Sequence, residues 1–160
     1  MMAQGTQTKI LIVDDESDIR VLTSGILEDE GFVTFQAASS SDAMNKIENN
    51  FPDLILLDIW LQGSKLDGLG ILKVVKRDYP TIPILMMSGH GNIETAVQAI
   101  KEGAYDFIEK PFNSQRLLIL VRRIIEAEKL RKENEQLREL TGKSTKFLGV
   151  SIPIRTLNNE

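Results

Sequence analysis

The chain has no cysteine among its 160 residues and a single histidine, His90. Disulfides and thiolate metal sites are excluded, and no cluster of histidines can form. The absence of cysteine fits a reducing compartment. Long apolar runs are also missing: none approaches the ~20 residues a membrane helix needs. The opening "MMAQGTQTK" has no apolar core of the kind a signal peptide carries. A cytoplasmic protein is expected. Positive charge is in short supply, with 19 Lys and Arg against 23 Asp and Glu, for a net charge of -4. That balance argues against a nucleic-acid binder, which shows a basic face. What remains is a hydrophobic content of 42%, ordinary for a globular core. The length suits one domain plus an extension.

Apolar runs alternate with segments of helical period. The runs are Ile10–Val13, Val33–Ala37, Leu54–Leu57, Ile84–Met87 and Asp106–Glu109. The first, third and fourth are nearly all apolar, as strands covered on both faces should be. The second and fifth are mixed, which suggests edges. Between them lie helical stripes: Ile19, Leu22 and Ile26; Ala43, Met44 and Ile47; Leu69, Leu72 and Val75; Ala96, Val97 and Ile100. A serine near Ser41, then Asn92, then Asn113 or Ser114 can cap the second, fourth and fifth helices. Gly31 and Gly103 are natural stops. Fivefold strand–helix alternation predicts an α/β fold with a parallel sheet and helices on both faces. The flavodoxin-like (βα)5 order 2-1-3-4-5 suits the two mixed strands.

The fifth helix has a wide apolar face of Leu117, Leu120, Val121, Ile124 and Ile125. After Glu126 the composition turns charged in "EAEKLRKENEQLREL", with Leu130 and Leu137 seven apart. Taking the leucines as d positions puts Ala127, Asn134 and Thr141 at a, less than three heptads of a coiled coil. A solvated helix laced with ion pairs is the alternative. A helix from Ser114 to Leu140 would run ~40 Å, so its end is expected to project. The expected division is a disordered lead at 1–8, a globular domain at 9–126, a helical extension or coiled-coil linker at 127–141, and a linker or the start of a further domain at 142–160.

Ligands of an open parallel sheet bind beyond the carboxyl ends of its strands. Strand one delivers Asp14 and Asp15, strand three Asp58, strand four Ser88 and strand five Lys110. Three acids, a hydroxyl and an ammonium should share one rim. Taken singly, each has a plain structural reading: Asp58 a turn or helix cap, Asp15 or Ser17 an N-cap, Ser88-Gly89 a turn, Lys110 a solvated lysine. Together they suit a hard divalent cation, Mg2+ first, which neutralises acids that otherwise repel. Such a site could stabilise a phosphoryl group in transfer, with Asp58 the carboxylate best placed to accept it.

The stretches "ILIVDDE", "PDLILLDIWL", "PILMMSGHG" and "AYDFIEKPF" resemble the CheY-like receiver domain of two-component response regulators, over roughly Lys9 to Glu126. The resemblance implies that Asp58 is the phospho-acceptor, served by a sensor histidine kinase. It implies that Asp14, Asp15, Asp58 and the backbone carbonyl of Trp60 bind Mg2+. Lys110 takes the phosphate-contacting position, Ser88 the switch hydroxyl and Phe107 the switch aromatic, with the Lys110–Pro111 bond cis. It further implies a domain that turns over no external substrate, and a homodimer through helix four, strand five and helix five; the Leu130–Leu137 spacing offers a second seam for one.

One departure stands out. Receivers read D-x-x-x-P-x-x-D-G after the acceptor, whereas here "IWLQGSKLDG" follows Asp58. Gln62 stands where proline is expected, and Asp67-Gly68 come two residues late. This version of the loop, with "SGHGNIETAV", is most similar to NtrX-type receivers of the NtrC group, regulators with an ATPase domain and a helix-turn-helix domain that control nitrogen or redox genes. Two other classes compete: a Mg2+-dependent aspartyl-phosphate phosphohydrolase, and an interaction module that works without phosphorylation. Members of the first that are of the haloacid dehalogenase type carry a second Asp two residues after the nucleophile, a position held here by Trp60. "TGKST" lacks the earlier P-loop glycine, since Leu137 stands there. The basic residues of the fifth helix are interleaved with glutamates, so no contact with nucleic acid is expected from this chain.

Overall fold

The computed structural model describes residues 7–89 and 93–148, with side chains through Leu137. It divides into two compact units, Met1–Ile124 and Ile125–Glu160.

The first unit holds a five-stranded sheet. Its strands are β1 (Lys9–Val13), β2 (Val33–Ala37), β3 (Leu54–Asp58), β4 (Ile84–Ser88) and β5 (Asp106–Glu109). All pairings are parallel and the order is β2-β1-β3-β4-β5. This is the flavodoxin-like architecture the sequence predicts. Strand composition explains the order. Every residue of β3 and β4 is buried, as are four of the five in β1, whereas β2 and β5 are mostly half-buried. The near-continuous apolar runs take the centre, where both faces are covered.

The helices are α1 (Ser17–Asp29), α2 (Ser40–Asn50), α3 (Gly68–Asp78), α4 (Ile93–Lys101) and α5 (Ser114–Leu148). Ser39 caps α2 by accepting the Asp42 N–H, Asp67 caps α3 through Gly70 N–H, and Asn113 accepts Arg116 N–H at the start of α5. Asn92, expected to cap α4, lies outside the described residues. Gly103 follows α4 at φ +116, a conformation few other residues adopt.

Two helices present other faces to the core than their apolar stripes suggest. In α1 the buried residues are Thr23, Ser24 and Leu27, while Leu22 is 57% exposed. In α4 they are Ala96 and Ala99, while Val97 and Ile100 are exposed. Small side chains make up most of both buried faces, joined in α1 by Leu27, while Val21, Leu22, Val97 and Ile100 are left outside. In α5, Leu117, Leu120, Val121 and Ile124 are buried as expected.

In the second unit α5 continues through Leu148. There Arg131 bonds Glu128 and Glu135, one turn to either side. Leu130 and Leu137 are both exposed. No described helix is long and apolar enough to cross a membrane.

Candidate functional site

The register of the sheet carries the site. Val13 pairs with Leu57, Asp58 with Met87, and Ser88 with Glu109. The residues just beyond these positions therefore emerge along one edge. The ladder also runs past the strands: Asp14 N–H bonds Ala37 O, Ile59 N–H bonds Met87 O, and Lys110 N–H bonds Ser88 O at 2.7 Å. Backbone hydrogen bonding thus fixes the roots of the candidate side chains.

Asp14, Asp15 and Asp58 each bring a carboxylate oxygen within 4.8 Å of the others. Asp14 is fully buried and Asp58 is 4% exposed. Two such acids cannot stay ionised without compensation. Lys110 Nζ supplies it, 3.1 Å from Asp14 Oδ2 and 3.2 Å from Asp58 Oδ2. Glu16 Oε1 lies 3.6 Å from the same ammonium. The other oxygen of Asp14 accepts Glu16 N–H at 2.9 Å.

These surroundings oppose one another at Asp58. Burial, and then the Asp14 charge, push its pKa up to about 7, against the pull of Lys110. At Lys110, burial favours the neutral amine but is outweighed by the charges of Asp58 and Asp14, which raise its pKa. The site holds more negative than positive charge in a confined space. A divalent cation would supply the balance, and the donor set of carboxylate oxygens without thiolate or imidazole suits Mg2+. A cleft of about 480 Å³ opens over it, lined by Asp15, Glu16, Asp58, Trp60, Gln62 and Lys110 among others. At roughly 30 Å³ per water, it has room for a hydrated ion and a phosphoryl group together.

The remaining candidates fall into place less directly. Ser88 ends β4, fully buried, and its hydroxyl has no partner among the described residues. Phe107 lies on β5 opposite Met86 and packs, half-buried, against the core. Trp60 is 52% exposed at the cleft. The Lys110–Pro111 bond is cis. His90 lies outside the described residues. The plain readings of the acids fail on particulars. Residue Glu16, not Asp15 or Ser17, occupies the N-cap of α1, and it makes no side-chain cap bond. Asp58 is the last residue of a buried strand, and the cap of α3 is Asp67.

Three contributors were not legible as site residues. Arg20 donates to the Asp14 backbone carbonyl at 2.6 Å. The Gln62 N–H donates to Asp15 Oδ2 at 3.2 Å. Gly68 sits against the Asp58 backbone, where an added Cβ would lie 2.1 Å from the Asp58 carbonyl oxygen. Gln62 and Gly68 left a trace in the sequence, as the departure from proline and the late Asp67-Gly68 pair, and Arg20 left none.

The model of the response regulator receiver domain matches residues 10–122. The chain belongs to the response regulator receiver family. Within that family this receiver is similar to the nitrogen assimilation regulatory protein NtrX of Azorhizobium caulinodans, with 56% identity over 148 residues, covering 92% of this chain and 32% of that protein. It is similar in structure to crystallised NtrX from Brucella abortus, at a TM-score of 0.82 and 52% identity, covering 85% of this chain and 30% of that one. The separately crystallised receiver domain of the same Brucella protein gives a TM-score of 0.72 and 56% identity, covering 73% of this chain and 98% of that one. The likeness to NtrX-type receivers read from "DIWLQGS" agrees with these matches. The receiver chain spans about a third of the length of the curated NtrX relatives it matches.

Proposed function

We propose that this receiver accepts a phosphoryl group on Asp58 from the phosphohistidine of a sensor kinase, in a Mg2+-dependent reaction. The observation that carries the reading is the Lys110 ammonium bridging the Asp14 and Asp58 carboxylates at 3.1 and 3.2 Å, at the mouth of an open cleft.

In the transfer, an Asp58 carboxylate oxygen forms a bond to phosphorus as the phosphorus–nitrogen bond to the kinase histidine breaks. The electron pair of that bond stays on the imidazole nitrogen. Asp58 must be ionised to attack, and Lys110 favours its ionised form. After transfer, the same ammonium is placed to hold a phosphoryl oxygen, and Ser88, buried and without a partner among the described residues, offers a donor to another. Asp14, Asp15, Asp58 and the Trp60 carbonyl would hold Mg2+. When bound, the ion would neutralise the crowded acids and the charge on the phosphoryl oxygens. Phe107, without tyrosine's hydroxyl, would pass on the change through packing alone.

The domain would catalyse only its own phosphorylation and dephosphorylation. Trp60 stands where an aspartyl-phosphate hydrolase of the haloacid dehalogenase type carries its second acid, which opposes sustained turnover. In a regulator of NtrX type, the phosphorylated state would act on an output domain outside this sequence and so on transcription. A homodimer has apolar surface available on α4 and α5, where Ile93, Val97, Ile100 and Ile119 are exposed.

Incubation with acetyl phosphate and Mg2+, followed by intact mass, tests the acceptor. Wild type should gain one phosphoryl group, released by neutral hydroxylamine as an acyl phosphate, and Asp58→Asn none. Labelling that survives the substitution would overturn the assignment.

A further inference from the structure

The loop between β3 and α3, residues 59–67, is tied to two other parts of the receiver. At its first anchor, the Gln62 N–H donates to Asp15 Oδ2 at 3.2 Å. At its second, the loop and the start of α2 exchange hydrogen bonds. The Ser64 hydroxyl accepts the Ser40 N–H at 2.8 Å, and the Ser40 hydroxyl accepts the Leu66 N–H at 3.3 Å. Ser40 opens α2, so its N–H has no carbonyl partner inside the helix. Ser39 satisfies the Asp42 N–H of the same turn, and Ser64 supplies the acceptor Ser40 would otherwise lack. Ser40 is buried, which makes an unmet N–H there costly.

The first anchor depends on a residue type. Receiver loops of the pattern this chain resembles carry proline at position 62, and proline has no N–H to donate. Gln62 restores the donor. The serine that completes the second anchor lies in "GSK", within the stretch that makes the loop longer than that pattern. Both departures therefore act on one structure.

Asp15 needs such support. Asp14 is held at both carboxylate oxygens, by Glu16 N–H and Lys110, and at its carbonyl by Arg20. Asp15 is half-buried at the cleft, and the bond from Gln62 ties it to the loop. A carboxylate has lone pairs enough to accept one N–H and still ligate a cation.

We propose that the Gln62 N–H, locked in place by the Ser40–Ser64 pair, is a brace that holds Asp15 ready for a divalent cation. This rests on the Mg2+ reading of the acids. Gln62 and Ser64 are positioning residues, acting through Asp15. Because binding and loop order are linked, the cation in turn steadies the loop.

Trp60, the single tryptophan of the chain, lies in the same loop at the cleft, so its fluorescence should change when a cation binds there. Titration of the full chain with Mg2+ alone should show affinity weakened roughly three- to tenfold, as loss of one hydrogen bond implies, in Ser64→Ala and in Gln62→Pro. Ser64→Thr, which keeps the hydroxyl, should recover most of the loss, and Lys65→Ala should match wild type. Amide exchange of the metal-free protein supplies the second readout: Ser64→Ala should speed exchange at Ser40 and Gln62 while the thermal transition stays cooperative. Wild-type binding of Mg2+ with unchanged affinity in both Ser64→Ala and Gln62→Pro would overturn the brace alone, whatever the exchange shows. Wild type that does not respond to Mg2+ would overturn the metal reading and the brace with it.

Discussion

Asp58 faces two demands that its surroundings set against each other. As the proposed acceptor it must be ionised to attack phosphorus, yet it is buried beside Asp14, and together these push its pKa to about 7. In metal-free protein the folded state keeps a proton on Asp58 up to about pH 7, while the unfolded chain releases it near the ordinary value of 3.8. Between those limits the folded state binds more protons, so stability falls as pH rises, and the full cost of the buried charge is present above the folded pKa. Asparagine at 58 cannot ionise. Asp58→Asn should therefore unfold at a higher temperature than wild type at pH 8 in EDTA, and the gap should close as pH falls toward 4. Thermal melts across that range would show it, and a gap independent of pH would contradict the assignment. Mg2+ should narrow the gap at pH 8 by stabilising wild type. The residues of this centre were legible because chemistry concentrates at strand ends: Asp14, Asp15, Asp58 and Lys110 each follow or close an apolar run. Arg20 was not, since it acts on a backbone atom of Asp14, and nothing in a residue's type announces which carbonyl it will meet; Gly68 showed only as half of a displaced Asp-Gly pair, without its packing role.

At the level of elements, the sheet could be read from composition and two helix faces could not. Strands buried on both sides need apolar side chains throughout, so β3 and β4 announced themselves, along with their central places. A helix needs only one face, and α1 buries Thr23 and Ser24 there while Val21 and Leu22 face out. Ser24 meets its polar needs locally, through Thr34 and Glu28. Apolar spacing cannot pick out the core face when that face carries small or polar residues beside a single large one, as Thr23 and Ser24 stand beside Leu27. Close approach matters most where α3 begins. The Gly68 N–H donates to Ile59 O at 2.8 Å, and a Cβ at Gly68 would overlap the Asp58–Ile59 peptide. Gly68→Ala forces that peptide or the helix start to move. Overpacking of this kind costs about 1–3 kcal/mol, which urea unfolding would measure. Because the displaced peptide carries Asp58, the variant should also accept phosphate more slowly from acetyl phosphate at equal folded fraction. A destabilised Gly68→Ala with an unaltered labelling rate would mean that the contact serves packing alone.

Across the whole chain, the second unit poses a different problem from the first. The receiver buries its apolar residues in a core of its own, whereas α5 beyond Ile125 carries Leu130 at 55% exposure and Leu137 at 62%. Its surface ion pairs, Arg131 with Glu128 and Glu135, each contribute only about 0.2–0.5 kcal/mol to a helix. Packing of an apolar face, rather than propensity, is what usually stabilises a long helix. Leucines seven residues apart, with Ala127 and Asn134 at the alternate seam positions, form the face that a second copy of the same helix would cover. A polar Asn134 in that seam would fix register at some cost in affinity, so the association should be weak and depend on concentration. Sedimentation of the chain over a concentration series should show a monomer–dimer equilibrium. Leu130→Asp with Leu137→Asp should shift it to monomer without changing the rate at which acetyl phosphate labels Asp58, because those side chains lie in the unit that does not hold the site. If the wild-type chain remains monomeric throughout the series, the seam is a solvated helix surface. If instead the double variant dimerises as wild type does, the contact lies elsewhere, and the exposed Ile93, Val97 and Ile100 of α4 become the surface to substitute next.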